Sequence, residues 1–171
     1  MKVFHETMSI ESCAGRVSYH NVTDQVKKII EKSGIVDGTV LVQTAHTTCS
    51  VIFEEFVHDL DFNGDEFLHV DMNRILDKII PRELTENADY RYPGQQHLDF
   101  LMSLNDPNYP CDSGTILNAD AHIRASFFGP SEQFIVKECV PLIGEVGYIY
   151  FIDFDQNRER SRKCHVMVMG Q

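Results

Sequence analysis

Three strand-length segments close the chain: Gln133 to Val140, Gly147 to Phe154 and Lys163 to Met169. Pro141 to Gly144 turns the first into the second, and Asp155 to Arg162 turns the second into the third. Three strands joined by short turns, after an alternation of strands and helices, suggest a mostly antiparallel sheet.

The N-terminal half supplies more strands and one clear helix. Val3 to Glu11 reads as an edge strand, and Cys13 to Tyr19 as a second strand after a turn. Thr23 has the chemistry of an N-cap for a helix through Lys32, with Val26, Ile29 and Ile30 on one face and Gly34 as its stop. After the Asp37-Gly38 turn, the β-branched run Thr39 to Thr44 has the composition of a buried strand, and Val51 to Phe53 resumes strand beyond a polar bend, His46-Thr-Thr-Cys-Ser50. Phe56 to Asp65 is an acidic loop. Glu66 to Ile80 repeats apolar residues at helical spacing (Phe67, Val70, Ile75, Leu76, Ile79, Ile80) until Pro81.

Arg82 to Ala119 is long and irregular, with turn signals at Pro93-Gly94, Asp106-Pro107, Tyr109-Pro110 and Ser113-Gly114 and room for a short helix over Gln95 to Leu104. A connection of that length inside a compact domain is usually functional. A last helix spans Asp120 to Phe128 before Gly129-Pro130. The expected architecture is one α+β domain over residues 1–171: a mostly antiparallel, barrel-like sheet flanked by a few helices, with an insertion at roughly 82–119.

Composition narrows the function classes. A formal net charge of -11 argues against a general nucleic-acid or anionic-membrane binder, since both need a basic surface. No apolar run approaches the ~20 residues of a membrane span, and MKVFHETMSIES lacks the apolar stretch of a signal peptide. The five cysteines are odd in number, widely spaced and without a CxxC pair, which suits reduced thiols in the cytoplasm. P-loop, GxGxxG, GxSxG and HExxH motifs are all absent.

Two clusters could carry chemistry. His46, His97 and His122 stand at element ends or in the long connection, where a fold could bring them together as neutral-imidazole metal ligands or acid–base groups. His5, His20, His58, His69 and His165 read as ordinary surface or core histidines. Glu54, Glu55 and Asp71 could orient or supplement the first three. The second cluster is Asp153 to Arg162, where Arg158, Arg160 and Arg162 alternate at a strand entrance and so share one side. That is a plausible phosphate clamp in an acidic chain, although a solvated hairpin paired to acids gives the same pattern.

Taken in order, these motifs resemble the YjbQ family, labelled secondary thiamine-phosphate synthase. His46-Thr-Thr-Cys-Ser-Val with Glu54-Glu55 is similar to its HTTAS…NE signature. Asp65 and Asp71 with Pro81 look like its acidic helix, and Asn118-Ala-Asp-Ala-His122-Ile-Arg-Ala-Ser126 like its N-x-x-A-H-x-K-A-S segment. Leu142-Ile-Gly144 with Ile149-Tyr-Phe151, and Asp153-Phe-Asp155 through Arg158 and Arg160, match its last two. The resemblance implies a homotrimer with a pocket that joins a pyrimidine diphosphate to a thiazole phosphate, or else a non-catalytic trimer binding a metal or small anion. It assigns His46, Glu55, Asp71 and His122 as catalytic groups, and Ser50, Arg158 and Arg160 to a small phosphorylated partner. A divalent metal, zinc or magnesium, would sit on His46, His97 and His122. Glu54 replaces the family's asparagine, Val146-Gly147-Tyr148 its Trp-Gln-Gly, and Gln156-Asn157 its Gly-Pro. These departures are expected around the pocket, with Glu54 adding negative charge beside it.

Overall fold

A computed structural model describes residues 1–86, 88–105 and 113–171. The turn signals at Asp106-Pro107 and Tyr109-Pro110, and Cys111, lie outside the described residues. The architecture is α+β, with every strand pairing antiparallel. The elements run β1 (Lys2–Ser12), β2 (Ser18–Asn21), α1 (Thr23–Ser33), β3 (Gly38–Thr44), β4 (Cys49–Glu55), α2 (Phe67–Ile79), α3 (Gln95–Leu104), α4 (Ser113–Ile116), α5 (Ala119–Phe128), β5 (Ser131–Lys137), β6 (Val140–Pro141), β7 (Gly147–Asp153) and β8 (Arg160–Gly170). One sheet has the order β1-β8-β3-β5-β6 and the other β2-β7-β4. Together they form a curled half-barrel.

Strand parity divides the interior. Strand β7 is buried on both faces: Ile149 and Phe151 point between the sheets, while Tyr150 and Ile152 point to the other side. Between the sheets lie Val40 and Val42 of β3, Val166 and Val168 of β8, Val51 of β4, and Val26, Ile29 and Ile30 of α1. On the far face of β2-β7-β4, Leu76 of α2 and Ala121 and Ala125 of α5 pack against Ile52, Tyr150, Ile152 and Phe154.

Local chemistry moves several boundaries. Thr23 does not cap α1, because its hydroxyl accepts the Ile149 N–H at 2.8 Å; the Asn21 side chain turns the chain into the helix by accepting the Thr23 N–H at 3.1 Å. Gly34 ends the helix in the left-handed region, as expected. The second strand is Ser18–Asn21 rather than Cys13 to Tyr19. Strand β5 stops at Lys137, not Val140. Glu138 and Cys139 both take positive φ and close a two-residue hairpin, so the first closing turn lies there and not at Pro141 to Gly144. Neither residue carries the Asn-Gly signal that marks such turns. In α2 only His69 and Leu76 are buried, while Phe67, Ile75 and Ile79 face outward.

At the start of β7, Gly147 opposes Glu55. A Cβ there would lie 2.2 Å from Cζ of Phe53 and 2.3 Å from the Ile143 backbone carbonyl oxygen, so ring and main chain together occupy the space a side chain would need. Among the described residues no helix is long and apolar enough to cross a membrane.

Candidate functional site

The bend between β3 and β4 is fixed by backbone geometry and by β8. The Cys49 N–H returns to the His46 carbonyl at 3.0 Å, and the Thr48 carbonyl accepts from the Phe154 N–H at 3.0 Å. The Thr44 hydroxyl accepts the His46 N–H at 3.1 Å. The His46 imidazole then reaches across to β8, where its Nε2 accepts the Lys163 N–H at 2.9 Å. Burial, helped by the Arg162 charge, lowers the His46 pKa. His46 is therefore a neutral acceptor bracing the bend.

Arg162 ties the two sheets beneath that bend. Its Nε donates to Asp153 Oδ2 at 2.6 Å and its terminal nitrogen to Asp153 Oδ1 at 3.0 Å, a bidentate pair, with Thr48 Oγ1 also at 3.0 Å. Burial opposes the charge on Arg162, but the Asp153 hydrogen bonds win and its pKa is raised. Strand period 2 does place Arg160 on the same side, and Arg160 approaches Asp155 at 3.5 Å. Asp155 itself is almost fully enclosed: it accepts the Asn157 N–H at 3.1 Å and the Asn118 amide at 3.3 Å. Burial, with Arg158 and Arg162 close by, lowers the pKa of Arg160. A charge so placed gains from an anion.

These groups line a cavity of about 190 Å³. Thr47 and Thr48 of the bend, Asp155, Arg158 and Arg160 of the β7–β8 connection, and Asn118 and His122 at the start of α5 form part of its wall. Tyr92, His97, Leu101, Thr115 and Ile116, all from the segment 82–119, form the rest. That segment is also clasped to α5: Glu83 accepts the Ala119 N–H at 2.6 Å, while the Glu83 N–H donates to Asp120 at 3.3 Å. Tyr92 joins the two histidines. Its hydroxyl lies 3.3 Å from His97 Nε2, and its ring meets the His122 ring edge-on at 5.4 Å between centroids. Burial lowers the His122 pKa against the pull of Asp155 and of a hydrogen bond to the Thr47 backbone carbonyl. His122 also borders an open depression of about 480 Å³ beside Phe127, whose other lining is Ile123 and Ser126. That surface lacks the arginines and is the less chemical of the two.

The geometry sorts the residues singled out by sequence. His97, His122, Arg158 and Arg160 meet in one cavity. His46 stands behind the bend, occupied by Lys163. Ser50 is buried and donates to the Ala125 carbonyl at 3.1 Å, pinning α5 to β4 instead of facing the cavity. Glu55 is exposed at the end of β4, and Asp71 is exposed on α2 beside Arg74 at 3.2 Å. Glu54 adds no charge to the cavity. It is hydrogen-bonded to His69, a buried ring that stacks on Tyr19 at 4.0 Å. Val146 and Gly147 lie at the opposite end of β7 from Asp153. Asp155, Asn118 and Tyr92 were not singled out as site residues. The acid-x-acid step just before the alternating arginines marks Asp155; nothing local marks Tyr92.

The three histidines expected to hold a metal do not form a ligand set. Among the described residues no three His, Cys, Asp or Glu side chains cluster closely enough to hold a metal ion. Asp155, the carboxylate on the cavity, already serves four partners.

Comparison with other proteins is consistent across the whole chain. The profile of the family described as UPF0047 protein YjbQ-like matches residues 6–171. The UPF0047 protein YugU of Bacillus subtilis is 27% identical over 150 residues, 88% of each chain. A UPF0047 protein of Archaeoglobus fulgidus is 30% identical over 147 residues, covering 86% of this chain and 89% of that one. The crystal structure of a conserved YjbQ/UPF0047-family protein from Clostridium acetobutylicum superposes with a TM-score of 0.69 at 26% identity, over 96% of this chain and 99% of the other. A YbjQ-like protein from Sulfolobus solfataricus gives the same TM-score at 24% identity, over 99% and 100%, which supports the fold.

Proposed function

The chain belongs to the UPF0047 YjbQ-like family, and from that premise we propose that its cavity binds a small phosphorylated molecule through Arg158 and Arg160. One observation carries this reading: a chain of net charge -11 turns two arginines into one cavity, backed by a third that is already neutralised by Asp153. Arginine forks match phosphate oxygens, and a partly dehydrated site strengthens the match. The Thr47 and Thr48 segment and His122 supply hydroxyl, amide and imidazole groups of the kind that complete such a site.

The thiamine-phosphate synthase reaction implied by the resemblance fits the charge but strains the volume. It needs two phosphorylated heterocycles side by side. A cavity of 190 Å³ falls below the roughly 300–1,000 Å³ of sites for drug-sized ligands, so the described walls suit one small substrate. A trimer, if it forms, would enter through added walls, and light scattering of the full chain reads the assembly directly.

Calorimetric titration with inorganic phosphate and pyrophosphate tests the reading. Binding is expected to be saturable and to weaken about tenfold or more in Arg160→Gln, the scale of one charged hydrogen bond. Equal affinity in the variant, or no heat with either anion, would remove the reading. Incubation with the two thiamine precursors, followed by detection of thiamine phosphate, tests the narrower synthase version.

A further inference from the structure

We infer that the cavity is a phosphoryl-transfer site in which His122 is the nucleophile, taking the phosphoryl group of a small phosphomonoester and passing it to water. The inference rests on the phosphate-binding reading above and adds a reaction to it.

His122 stands at the start of α5 and lines the cavity together with Thr47 and Thr48 of the bend, which His46, Phe154 and Arg162 hold in place. Its ring meets the Tyr92 ring edge-on at 5.4 Å between centroids. A neutral imidazole carries a lone pair on one of its two nitrogens. His122 is buried enough to disfavour the imidazolium, and it lines the same cavity as Arg158 and Arg160. A neutral imidazole beside two guanidinium groups is suited to attack at phosphorus: the arginines draw charge toward the phosphoryl oxygens while the imidazole supplies the electron pair.

A second histidine lines the same cavity and is assigned as the proton donor. His97 lines the cavity from α3, and the Tyr92 hydroxyl lies 3.3 Å from its Nε2. Tyr92 also touches the His122 ring edge-on, so it spaces the two imidazoles. In the first step a bond forms between the His122 nitrogen and phosphorus, and the ester P–O bond breaks. The departing oxygen takes the bond's electron pair and a proton from the His97 imidazolium, leaving as an alcohol. In the second step water attacks phosphorus and gives a proton to the now neutral His97. The P–N bond breaks, its electrons return to His122, and inorganic phosphate is released. The sum is ester plus water to alcohol plus phosphate, with no oxidant or further reactant. His97 and His122 are the catalytic residues, Arg158 and Arg160 bind the phosphoryl group, and Tyr92 is a positioning residue.

The test uses the full chain with p-nitrophenyl phosphate and with ³²P-labelled phenyl phosphate, beside calorimetry with inorganic phosphate. Turnover of the nitrophenyl ester is expected, with an acid-labile, alkali-stable protein-bound label trapped by rapid denaturation. His122→Ala should lose the label and at least ~100-fold in rate, the usual worth of a positioned catalytic group. Imidazole added to that variant should restore part of the turnover without restoring the label. Tyr92→Phe, which removes the hydroxyl beside the proton donor His97, should shift the alkaline limb of the pH–rate profile rather than abolish the label. If phosphate binds and depends on Arg160 but no ester is hydrolysed, or if His122→Ala keeps more than a tenth of the activity, the transfer role falls and the binding reading stands. If neither phosphate nor ester binds, both fall.

Discussion

The two faces of β7 look onto two different interiors. Toward the five-stranded sheet, the space holds aliphatic, aromatic and cysteine side chains, including Ile149, Phe151, Val166 and Ile30. Toward α2 and α5, apolar packing is interrupted by buried polar side chains and their partners. Tyr150 donates to Glu66 at 2.7 Å, Glu66 accepts the Val57 N–H at 2.7 Å, His69 bonds Glu54, and Arg124, with no exposed surface, reaches Asp77 at 2.7 Å and the Ile80 carbonyl at 2.6 Å. The dry side gains its stability by removing apolar surface from water, a non-directional effect that tolerates small shifts. The polar side adds directional bonds, and it is the side whose helix α5 carries His122 to the cavity. Between the sheets burial is joined by a charged tie, Arg162 to Asp153, whereas on the helix side several separate hydrogen bonds set how α2 and α5 sit.

The largest effect should come from the tie that crosses between the sheets. Asp153→Ala leaves the Arg162 guanidinium buried without its partner and should cost about 3–5 kcal/mol in urea unfolding, whereas Asp153→Leu with Arg162→Met should recover most of that loss. If the single substitution were nearly silent, the tie would not be structural. Next, Ile30→Ala in the dry interior should cost about 3 kcal/mol through lost burial and the cavity left behind, without altering phosphate affinity. Tyr150→Phe on the polar side should cost only about 1–2 kcal/mol, because Glu66 keeps its bond from Val57. Any accompanying loss in phosphate affinity would show that the polar side positions the cavity.

The smallest expected effect is in pH dependence. His46 has a folded-state pKa below its ordinary value of 6.5, so the unfolded chain binds its proton first. The contribution of His46 to stability is complete above pH 6.5 and is lost as pH falls through that value toward the lower folded-state pKa. His46→Gln should make the stability–pH curve between pH 7 and 5 shallower; an unchanged slope would mean that His46 takes up its proton alike in the folded and unfolded chain.

Much of the dry side could be read from sequence, because it depends on periodicity. The β-branched run in β3, the apolar face of α1 and the alternation of β8 each follow from one segment alone. The polar side could not be read in this way. Glu54 and His69 are fifteen residues apart, on different elements, and nothing in either segment states that they meet. Exposed Phe67, Ile75 and Ile79 made α2 look like a helix buried on a wider face than it is. The cavity falls between these cases. Alternation identified Arg158 and Arg160 as neighbours, but the same alternation could not say that Arg162 would turn inward to Asp153. His46 was conspicuous for its residue type, yet its partner is a backbone N–H of β8, which has no sequence signal.

The site of Gly147 bears on how this chain can change. A side chain at 147 would meet the Phe53 ring at 2.2 Å and the Ile143 backbone carbonyl at 2.3 Å. Shrinking residue 53 removes only the first obstacle; the second is main chain and stays. A larger residue at 147 therefore demands a new path for the backbone that leads into β7, and no single compensating side-chain substitution makes room for it.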